Sequence, residues 1–397
     1  MKRTIDILGL LLVALFTTAC SGGGDDGGNT SVTDQQPVLT FYVYAPERPM
    51  MTRANEVKAT DEENAIHNMQ IWVFTHDETT PANDGKLVGY LAPTSFPTTA
   101  EGQVYQMNVS KEFANAATKP NVDVYVVANG RSTTTLNAST TREQLEAAVM
   151  GESDFGVSTS TLQKGVPTGG LPMTGVLRDK GIGGENPVLR VEDEGIMAKV
   201  HLLRMVSKVR YVFCKGVGSE VLPINGITIG ADLIPTTEYL FLKENNYRIG
   251  SVFNSNAIAL ITETEIITDI KECGNPQKYD INKITPSLTP QAFEDLIDLG
   301  VNGDTENSIA ADLTLVGPFY FKESYKKLSG KIFYTPPGGT ATNIGYSMKA
   351  DDANSSFTRN HSWIVYAYYE GLSGMQVIVV DVTPWEEKDK NHSVYNW

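Results

Sequence analysis

Hydrophobic and polar residues alternate along much of this chain in short runs, a pattern typical of half-buried antiparallel β-strands. The runs are rich in Val, Ile, Tyr, Phe and Thr, and Gly, Pro, Asn or Asp bounds most of them. Because regular helices do not separate the runs, they predict an all-β fold built from β-sandwiches. The predicted strands are residues 38–45, 68–75, 86–93, 104–110, 122–129, 195–214, 238–244, 331–336, 343–350, 362–371 and 375–385.

Two segments have the periodicity of helices instead. Residues 139–151 begin with a Ser/Thr cap and place Leu145 and Val149 four positions apart. Residues 289–300 begin with Thr-Pro and end at Gly300. We predict that both are short surface helices on loops between strands.

One stretch, residues 201–213, is too long and too apolar at alternate positions for one ordinary strand. It fits two successive strands, the first closing one domain and the second opening another. A chain of 397 residues is long enough for two domains. We therefore predict domains at residues 54–205 and 206–397, with the boundary near Met205.

Composition and charge narrow the class of protein. Hydrophobic residues make up 41% of the chain and charged residues 20%, which is ordinary for a globular protein. The formal net charge of −15 argues against nucleic acid as a partner, because phosphate binding needs clustered Lys and Arg.

Residues 1–20 have the pattern of an export signal peptide. A basic start precedes an apolar run over residues 7–16, which is too short to span a membrane. Cys20 resembles the acylated cysteine of a lipobox, although Thr17 replaces the usual leucine. The alternative is an ordinary signal peptide with an incidental cysteine. The polar, glycine-rich residues 21–36 are predicted to be a flexible tether.

Motifs for catalysis or cofactor binding are absent from the sequence. The five histidines lack metal-site spacing, and no HExxH, CxxC, GxSxG or GxxxxGK[ST] motif occurs. Asp77, Glu78 and Asp84 could offer carboxylate oxygens to calcium, but the EF-hand spacing is missing and a solvated hairpin loop is the favoured interpretation. We therefore predict no cofactor, no metal and no enzymatic activity. Cys214 and Cys273 could pair, but two buried thiols are the favoured interpretation.

Five segments, in this order, resemble those of the fimbrillins, the type V pilins of gut and oral anaerobes. The fourth is similar to the family's long "L-x-R-x-x-x-K-V" strand, and the last to its C-terminal "R-N-x-x-Y" strand, with Trp363 in the aromatic place. This resemblance implies two transthyretin-like β-sandwich domains in tandem. The segments are residues 61–74, 122–130, 169–175, 200–213 and 333–371. The third segment, GGLPMTG, is predicted to be a turn and resembles the family's "PM-small-G" turn.

The resemblance also implies a mechanism of assembly. Fimbrillins are exported as lipoproteins, and an arginine-specific protease then cuts the loop after the first strand. The lost strand leaves a groove, which the C-terminal strand of another subunit fills. Residues 37–53 would then be the first strand and its cleavable loop. Arg53, followed by the small Ala54, is the predicted cleavage site, and Arg48 is a weaker candidate because Pro49 follows it.

The predicted donor segment is about residues 374–397. A strand at 375–383, a bend at Pro384 and a short second strand would fit its pattern. An equal alternative is that 375–383 is the last strand of the second domain, and the tail after Pro384 is then the piece that moves. The residues expected to enter a neighbour's groove are Val377, Val379, Val382, Trp385, Val394 and Trp397.

The resulting hypothesis is a pilin of cell-surface fimbriae that supports adhesion. Its partners would be copies of itself, related pilins, the arginine-specific protease and, through the precursor's lipid, the outer membrane. Within such a fimbria, the sequence fits a stalk, a tip or an anchor subunit. The alternative is a surface lipoprotein that stays lipidated, either a fimbrial anchor or a module binding glycan or host protein. An exposed aromatic platform would favour it, but Tyr366, Tyr368 and Tyr369, the one candidate, have the pattern of a strand core.

Overall fold

A computed structural model of the chain confirms the predicted all-β class, with several sheets and few short helices. None of the helices in the part that it describes is long and apolar enough to cross a membrane. The structure describes residues 38–45, 60–77, 79–97, 102–115, 121–130, 136–150, 165–177, 198–216, 222–230, 233–235, 237–241, 256–268, 270–272, 314–324, 326–347, 359–360, 362–369 and 374–381.

Strands make up most of the regular structure of these residues. The first nine are β1 (Val38–Tyr44), β2 (Met69–His76), β3 (Leu87–Leu91), β4 (Gln103–Asn108), β5 (Asn121–Ala128), β6 (Val149–Met150), β7 (Met173–Leu177), β8 (Ala198–His201) and β9 (Leu203–Arg204). The next nine are β10 (Val206–Lys215), β11 (Ile224–Ile229), β12 (Glu238–Tyr239), β13 (Ile258–Ile261), β14 (Thr314–Lys322), β15 (Ser329–Tyr334), β16 (Thr342–Ser347), β17 (Ser362–Tyr369) and β18 (Met375–Asp381). The helices are α1 (Asp61–Asn64), α2 (Lys111–Asn115) and α3 (Arg142–Ala147).

The strands before Met205 form two sheets. One has the order β4-β1-β8, and the other has the order β3-β2-β5-β7-β9. Every pairing in the second sheet is antiparallel. In the first sheet β1 runs antiparallel to β4 and parallel to β8. Gly175 in β7 lies so close to β8 that an added Cβ would come within 2.7 Å of the His201 carbonyl oxygen, so β8, at the edge of the first sheet, packs against β7 of the second.

The strands after Met205 form two further sheets, with the orders β14-β10-β17-β18 and β13-β11-β15-β16. These sheets pack face to face, because rings from one meet rings from the other. Tyr211 in β10 lies edge-on to Tyr346 in β16, with ring centroids 5.7 Å apart and hydroxyl oxygens 2.6 Å apart. Tyr334 in β15 and Tyr369 in β17 form a second such pair at 6.3 Å.

The long apolar stretch around residues 195–214 divides into three strands, β8, β9 and β10. Met205 is buried between β9 and β10, at the point where the chain passes from one pair of sheets to the other. One two-stranded ladder crosses this division, since β12 pairs with β6. The assignment of separate domains at this residue stays a prediction.

Several local expectations need correction. The GGLPMTG segment, expected to be a turn, turns at Gly170 and then enters strand β7 at Met173. Of the strand expected over residues 238–244, residues 238–239 form β12 and residues 240–241 are not strand, while residues 242–244 lie outside the described residues. Cys214 is disulfide-bonded, so the expectation of a free thiol is wrong for this residue. Lys215, next to it, forms a parallel bridge with Glu272.

Other expectations agree with the structure. The helix expected over residues 139–151 is present as α3, which Thr141 caps through a reciprocal capping box with Gln144. It is shorter than expected, because Val149, predicted to lie on the helix, is the first residue of strand β6. Tyr366, Tyr368 and Tyr369 are all buried in β17 and form no exposed platform. The helix expected over residues 289–300 lies outside the described residues.

Candidate functional site

Strand β1 is the central strand of its sheet. Residues 38–43 pair with residues 103–108 of β4, and residues 41–44 pair with residues 198–201 of β8. Within the described residues, neither β4 nor β8 pairs with another strand. β1 therefore holds both neighbours in the sheet, and its backbone hydrogen bonds are those that would be lost if it left.

The side chains of β1 alternate between the core and the outer face. Leu39, Phe41 and Val43 are buried, with at most 4% of each exposed. Burial of such side chains is worth about 1.5–3 kcal/mol each. The two tyrosines between and after them, Tyr42 and Tyr44, are half-buried on the outer face. The inner face of β1 thus fills an apolar groove between β4 and β8, which we call the β1 groove.

Helix α1 is the next described element after β1, and it is anchored in a different way. Thr60 accepts a hydrogen bond from the Glu63 amide at 3.2 Å, while the Glu63 carboxylate accepts one from the Thr60 amide at 2.8 Å. This capping box satisfies orphan donors at both residues. It also holds the Glu63 side chain at the start of the helix, where 1% of the residue is exposed.

Buried charges surround the Glu63 carboxylate. The Lys208 ammonium lies 2.7 Å from Glu63 Oε1, and the Tyr320 hydroxyl donates to the same oxygen at 2.5 Å. Arg204 donates from Nε to the Glu63 carbonyl at 3.1 Å. Burial alone would raise the pKa of Glu63, but Lys208 and Arg204 outweigh it and lower the pKa to about 2. Glu63 is therefore ionised at neutral pH.

Arg204 extends these contacts to other parts of the chain. Its guanidinium also donates to the Asn64 side chain and, at 3.2 Å, to the Asn360 side chain. Helix α1 is thus joined to β9, β10 and β14, on both sides of Met205. We call Glu63, Arg204, Lys208 and Tyr320 the Glu63 clamp.

A second cluster of buried charged residues, centred on Arg359, also lies where the two pairs of sheets meet. Arg359 donates to Glu323 Oε1 at 2.5 Å and to Glu238 Oε1 at 3.2 Å. It also donates to the carbonyl oxygens of Tyr239 and Leu240, both at 2.9 Å. Burial raises the pKa of Glu238 well above its usual value, although the charge of Arg359 acts in the opposite direction.

The segment held by Arg359 also reaches the sheets before Met205. The Leu240 amide donates to the Ala148 carbonyl at 3.0 Å, and the Thr174 hydroxyl donates to the Leu240 carbonyl at 3.1 Å. The Phe241 ring packs edge-on against Tyr125 with centroids 5.1 Å apart. The two pairs of sheets are therefore connected by buried polar groups as well as by rings.

Sequence patterns place these charged residues within strand motifs but indicate no role for them. Arg204 and Lys208 occupy the charged positions of the "L-x-R-x-x-x-K-V" pattern, and Arg359 and Asn360 begin the "R-N-x-x-Y" pattern. The available clue was the presence of basic residues within an otherwise apolar run. Their partner Glu63 is 141 residues from Arg204 in sequence, so spacing could not reveal it.

The predicted donor residues are placed only in part. Val377 and Val379 lie in β18, an edge strand, opposite Ala367 and Val365 of β17. Val379 is buried and Val377 is half-buried. The predicted site residues outside the described part of the chain are Cys20, Arg53, Ala54, Val382, Trp385, Val394 and Trp397.

The loop considered for calcium connects the antiparallel strands β2 and β3. Arg142 donates to Asp84 Oδ1 at 2.9 Å, and hydrogen bonds from Arg142 hold the pKa of Asp84 below its usual value. Asp77 Oδ1 accepts from the Thr80 amide at 2.9 Å and from the Thr79 hydroxyl at 2.8 Å. Both carboxylates are thus engaged by protein donors, and the described residues contain no cluster of metal-ligating side chains.

Comparison with known proteins finds a family model that matches part of the chain. Residues 38–188 match the family model described as the major fimbrial subunit protein (FimA). This stretch runs from β1 through β7 and includes the β1 groove's central strand. Over these residues the match confirms the predicted resemblance to the fimbrillins and supports a fimbrial role. A search of curated proteins finds no significant match.

Several solved structures align with most of this chain at low sequence identity. A candidate cell adhesion protein from Parabacteroides distasonis is 14% identical, with a TM-score of 0.49 over 88% of this chain and 98% of its own. A fimbrial assembly protein from the same organism is 11% identical, with a TM-score of 0.44 over 87% and 95%. The tip fimbrial protein Mfa3 from Porphyromonas gingivalis is 13% identical, with a TM-score of 0.40 over 87% and 100%.

Proposed function

We propose that this chain is a subunit of cell-surface fimbriae that is exported as a lipoprotein acylated at Cys20, cut after Arg53 and polymerised by strand exchange. An arginine-specific protease would remove the lipid, the tether and β1 together. The C-terminal segment of another copy, or of a related pilin, would then fill the β1 groove. Fibres built in this way would carry the subunit to the cell surface and support adhesion.

The observation that supports this proposal is the central place of β1 in its sheet. Its removal would leave β4 and β8 without their partner and would expose the β1 groove, which Leu39, Phe41 and Val43 fill. Both losses are unfavourable in water, and an added strand reverses both at once. Such an exchange needs no further change in the sheet, because the new strand takes the position between β4 and β8 that β1 has left.

The Glu63 clamp supports the position of the cut. Arg53 and Ala54 precede Thr60, the cap of α1, by a few residues. Cleavage there would separate β1 from a helix that is anchored by its own buried ion pair, between Glu63 and Lys208. The new N-terminus would therefore stay attached to the subunit after β1 has gone.

We further propose that the donated piece begins after β18. Met375 and Val379 are buried against the subunit's own sheets, so donation of β18 would uncover a second core. The tail beyond it contains Val382, Trp385, Val394 and Trp397, which supply apolar side chains for a groove. Of the two alternatives for the donor, this placement keeps each subunit's own sheets complete.

The test is the N-terminal sequence of the protein in sheared surface material. A start at Ala54 would support cleavage, loss of the lipid and opening of the groove together. Arg53→Ala should abolish that product and leave the chain in the membrane fraction, whereas the matched variant Arg48→Ala should be processed normally. Acylated Cys20 on all of the surface protein would contradict the proposal and favour an anchor or a simple lipoprotein.

A further inference from the structure

The last residue of β1 sits in a slot on the outer face of the sheet. The Tyr44 ring stacks on the His201 ring, with centroids 4.8 Å apart and planes 14° apart. The Leu202 amide donates to the Tyr44 carbonyl at 3.0 Å, which fixes the backbone beneath the ring. Tyr44 is thus held both by its backbone and by a parallel contact with a second planar group.

The opposite wall of the slot is Gly102, directly before β4. A Cβ added to Gly102 would lie 2.6 Å from the Tyr44 ring, closer than carbon atoms approach without displacement. The absence of a side chain at this position is therefore what gives the ring its space. The slot is shaped to a flat group, because it is bounded by a glycine on one side and an imidazole face on the other.

The walls of this slot do not belong to β1. His201 is in β8 and Gly102 precedes β4, so both would remain in the subunit after cleavage at Arg53. The neighbouring outward residue, Tyr42, has a different setting. It pairs with Val104, which is 44% exposed, and its ring centroid is 6.0 Å from that of Tyr44.

We infer that Gly102 and His201 form a specificity slot that selects a planar side chain, at the register of Tyr44, on whichever strand fills the β1 groove. This inference rests on the proposed function. The inner face of the groove accepts any alternating apolar strand of suitable size, so it gives affinity with little selection. The slot adds a requirement for one aromatic residue at one register, and so fixes which strand enters and how far.

The occupant we assign is an aromatic side chain in the C-terminal tail of a second copy. The tail beyond β18 has three such residues, Trp385, Tyr395 and Trp397. A tryptophan presents a larger flat face than a tyrosine, which suits stacking on an imidazole. Loss of fibre assembly in Trp385→Ala or in Trp397→Ala would identify the residue, and normal assembly of both variants and of Tyr395→Ala would overturn this assignment.

The slot itself is tested with the chain's own first strand as the probe. Chain cut at Arg53 and separated from its own first strand would be mixed with a labelled peptide of residues 37–45, and peptide binding would be measured. The Tyr44→Ala peptide should bind about tenfold more weakly than the natural peptide, whereas the Tyr44→Phe peptide should bind nearly as well. The matched Tyr42→Ala peptide should lose much less, because Tyr42 does not lie in the slot.

A reciprocal variant separates selection from general damage. Gly102→Ala in the protein should weaken binding of the natural peptide but leave binding of the Tyr44→Ala peptide unchanged, since the three atoms nearest to the added methyl group all belong to the Tyr44 ring. His201→Ala should act in the same selective way. Equal weakening for both peptides, or equal losses for Tyr42→Ala and Tyr44→Ala, would overturn the slot.

The same experiment distinguishes failure of the inference from failure of the proposed function. If the cut chain binds no form of the peptide, strand replacement itself is refuted, and the slot with it. If the cut chain binds all peptides equally well, strand replacement stands and only the slot is refuted.

Discussion

Strand β1 and helix α1 follow each other closely in the chain, yet the forces that hold them are different. β1 is held by backbone hydrogen bonds and by alternate apolar side chains, which many strands could supply. α1 is held by a buried carboxylate with its own cationic and hydroxyl partners, which require particular side chains at particular distances. The first kind of contact can be exchanged for another segment, and the second cannot.

The contrast predicts which element leaves and which stays if the segment between them is cut. Removal of β1 exposes groups that a replacement strand can cover. Removal of α1 would leave Lys208 and Arg204 buried without their carboxylate, at a cost that no ordinary strand would offset. Each variant below tests one side of this comparison.

The largest effect is expected at Phe41, the largest buried side chain of β1. Phe41→Ala should destabilise the uncut chain by roughly 3–5 kcal/mol, because it leaves a cavity in the β1 groove. Chemical denaturation measures this loss, and Thr40→Ala, on the outer face of the same strand, should cost little. After cleavage and separation of β1, the Phe41→Ala and wild-type chains should be equally stable, because neither retains the strand. A difference that persists in the separated chains would contradict the exchangeable role of β1.

Glu63→Gln should destabilise the chain by about 3 kcal/mol, because it leaves Lys208 buried without a counter-charge. In contrast to Phe41→Ala, this loss should be the same before and after cleavage. The control is Glu62→Gln, one residue earlier on the exposed side of α1. A loss seen only in the uncut chain would show that the clamp depends on β1.

Acid should weaken the same clamp. The pKa of Glu63 is about 2 in the folded chain, below its ordinary value of 4.5, so its contribution is complete above pH 4.5 and falls as the pH approaches 2. Between pH 5 and pH 3 the loss should be roughly 2 kcal/mol from this group. Because other carboxylates also titrate, the measurement is the difference in unfolding free energy between wild type and Glu63→Gln across this range. A difference that does not change with pH would refute the assignment of charge to Glu63.

The two elements also differ in how well the sequence predicts them. β1 is visible because alternation of apolar and polar residues is local, and its predicted range of 38–45 matches Val38–Tyr44 closely. α1 has four residues, too few for helical periodicity, and its Thr60–Glu63 capping box is easily missed in a polar segment. The inward position of Glu63 depends on Lys208 and Tyr320, which are distant in sequence and which no local pattern connects to it.

The same limit explains the errors elsewhere. The GGLPMTG segment was expected to be a turn because of its glycines, but pairing with β5 and β9 makes Met173 the start of a strand. The disulfide at Cys214 could not be predicted, because the pairing of two cysteines depends on the fold that brings them together. Local patterns therefore predicted the strands and the groove's central element, whereas the buried charges that fix the rest required tertiary structure.

The smallest expected effect concerns the cap of α1, and it asks whether the cap or the clamp positions Glu63. Thr60→Ala removes one hydrogen bond to the Glu63 amide and should cost about 1 kcal/mol. Thr141→Ala is the matched control, because α3 has the same capping box with Gln144 and lies away from the clamp. Equal losses in the two variants would mean that Lys208 and Tyr320 hold Glu63 in place without the cap. A loss at Thr60 as large as that of Glu63→Gln would mean that the cap aims the carboxylate, and the anchoring of α1 would then be local to the helix.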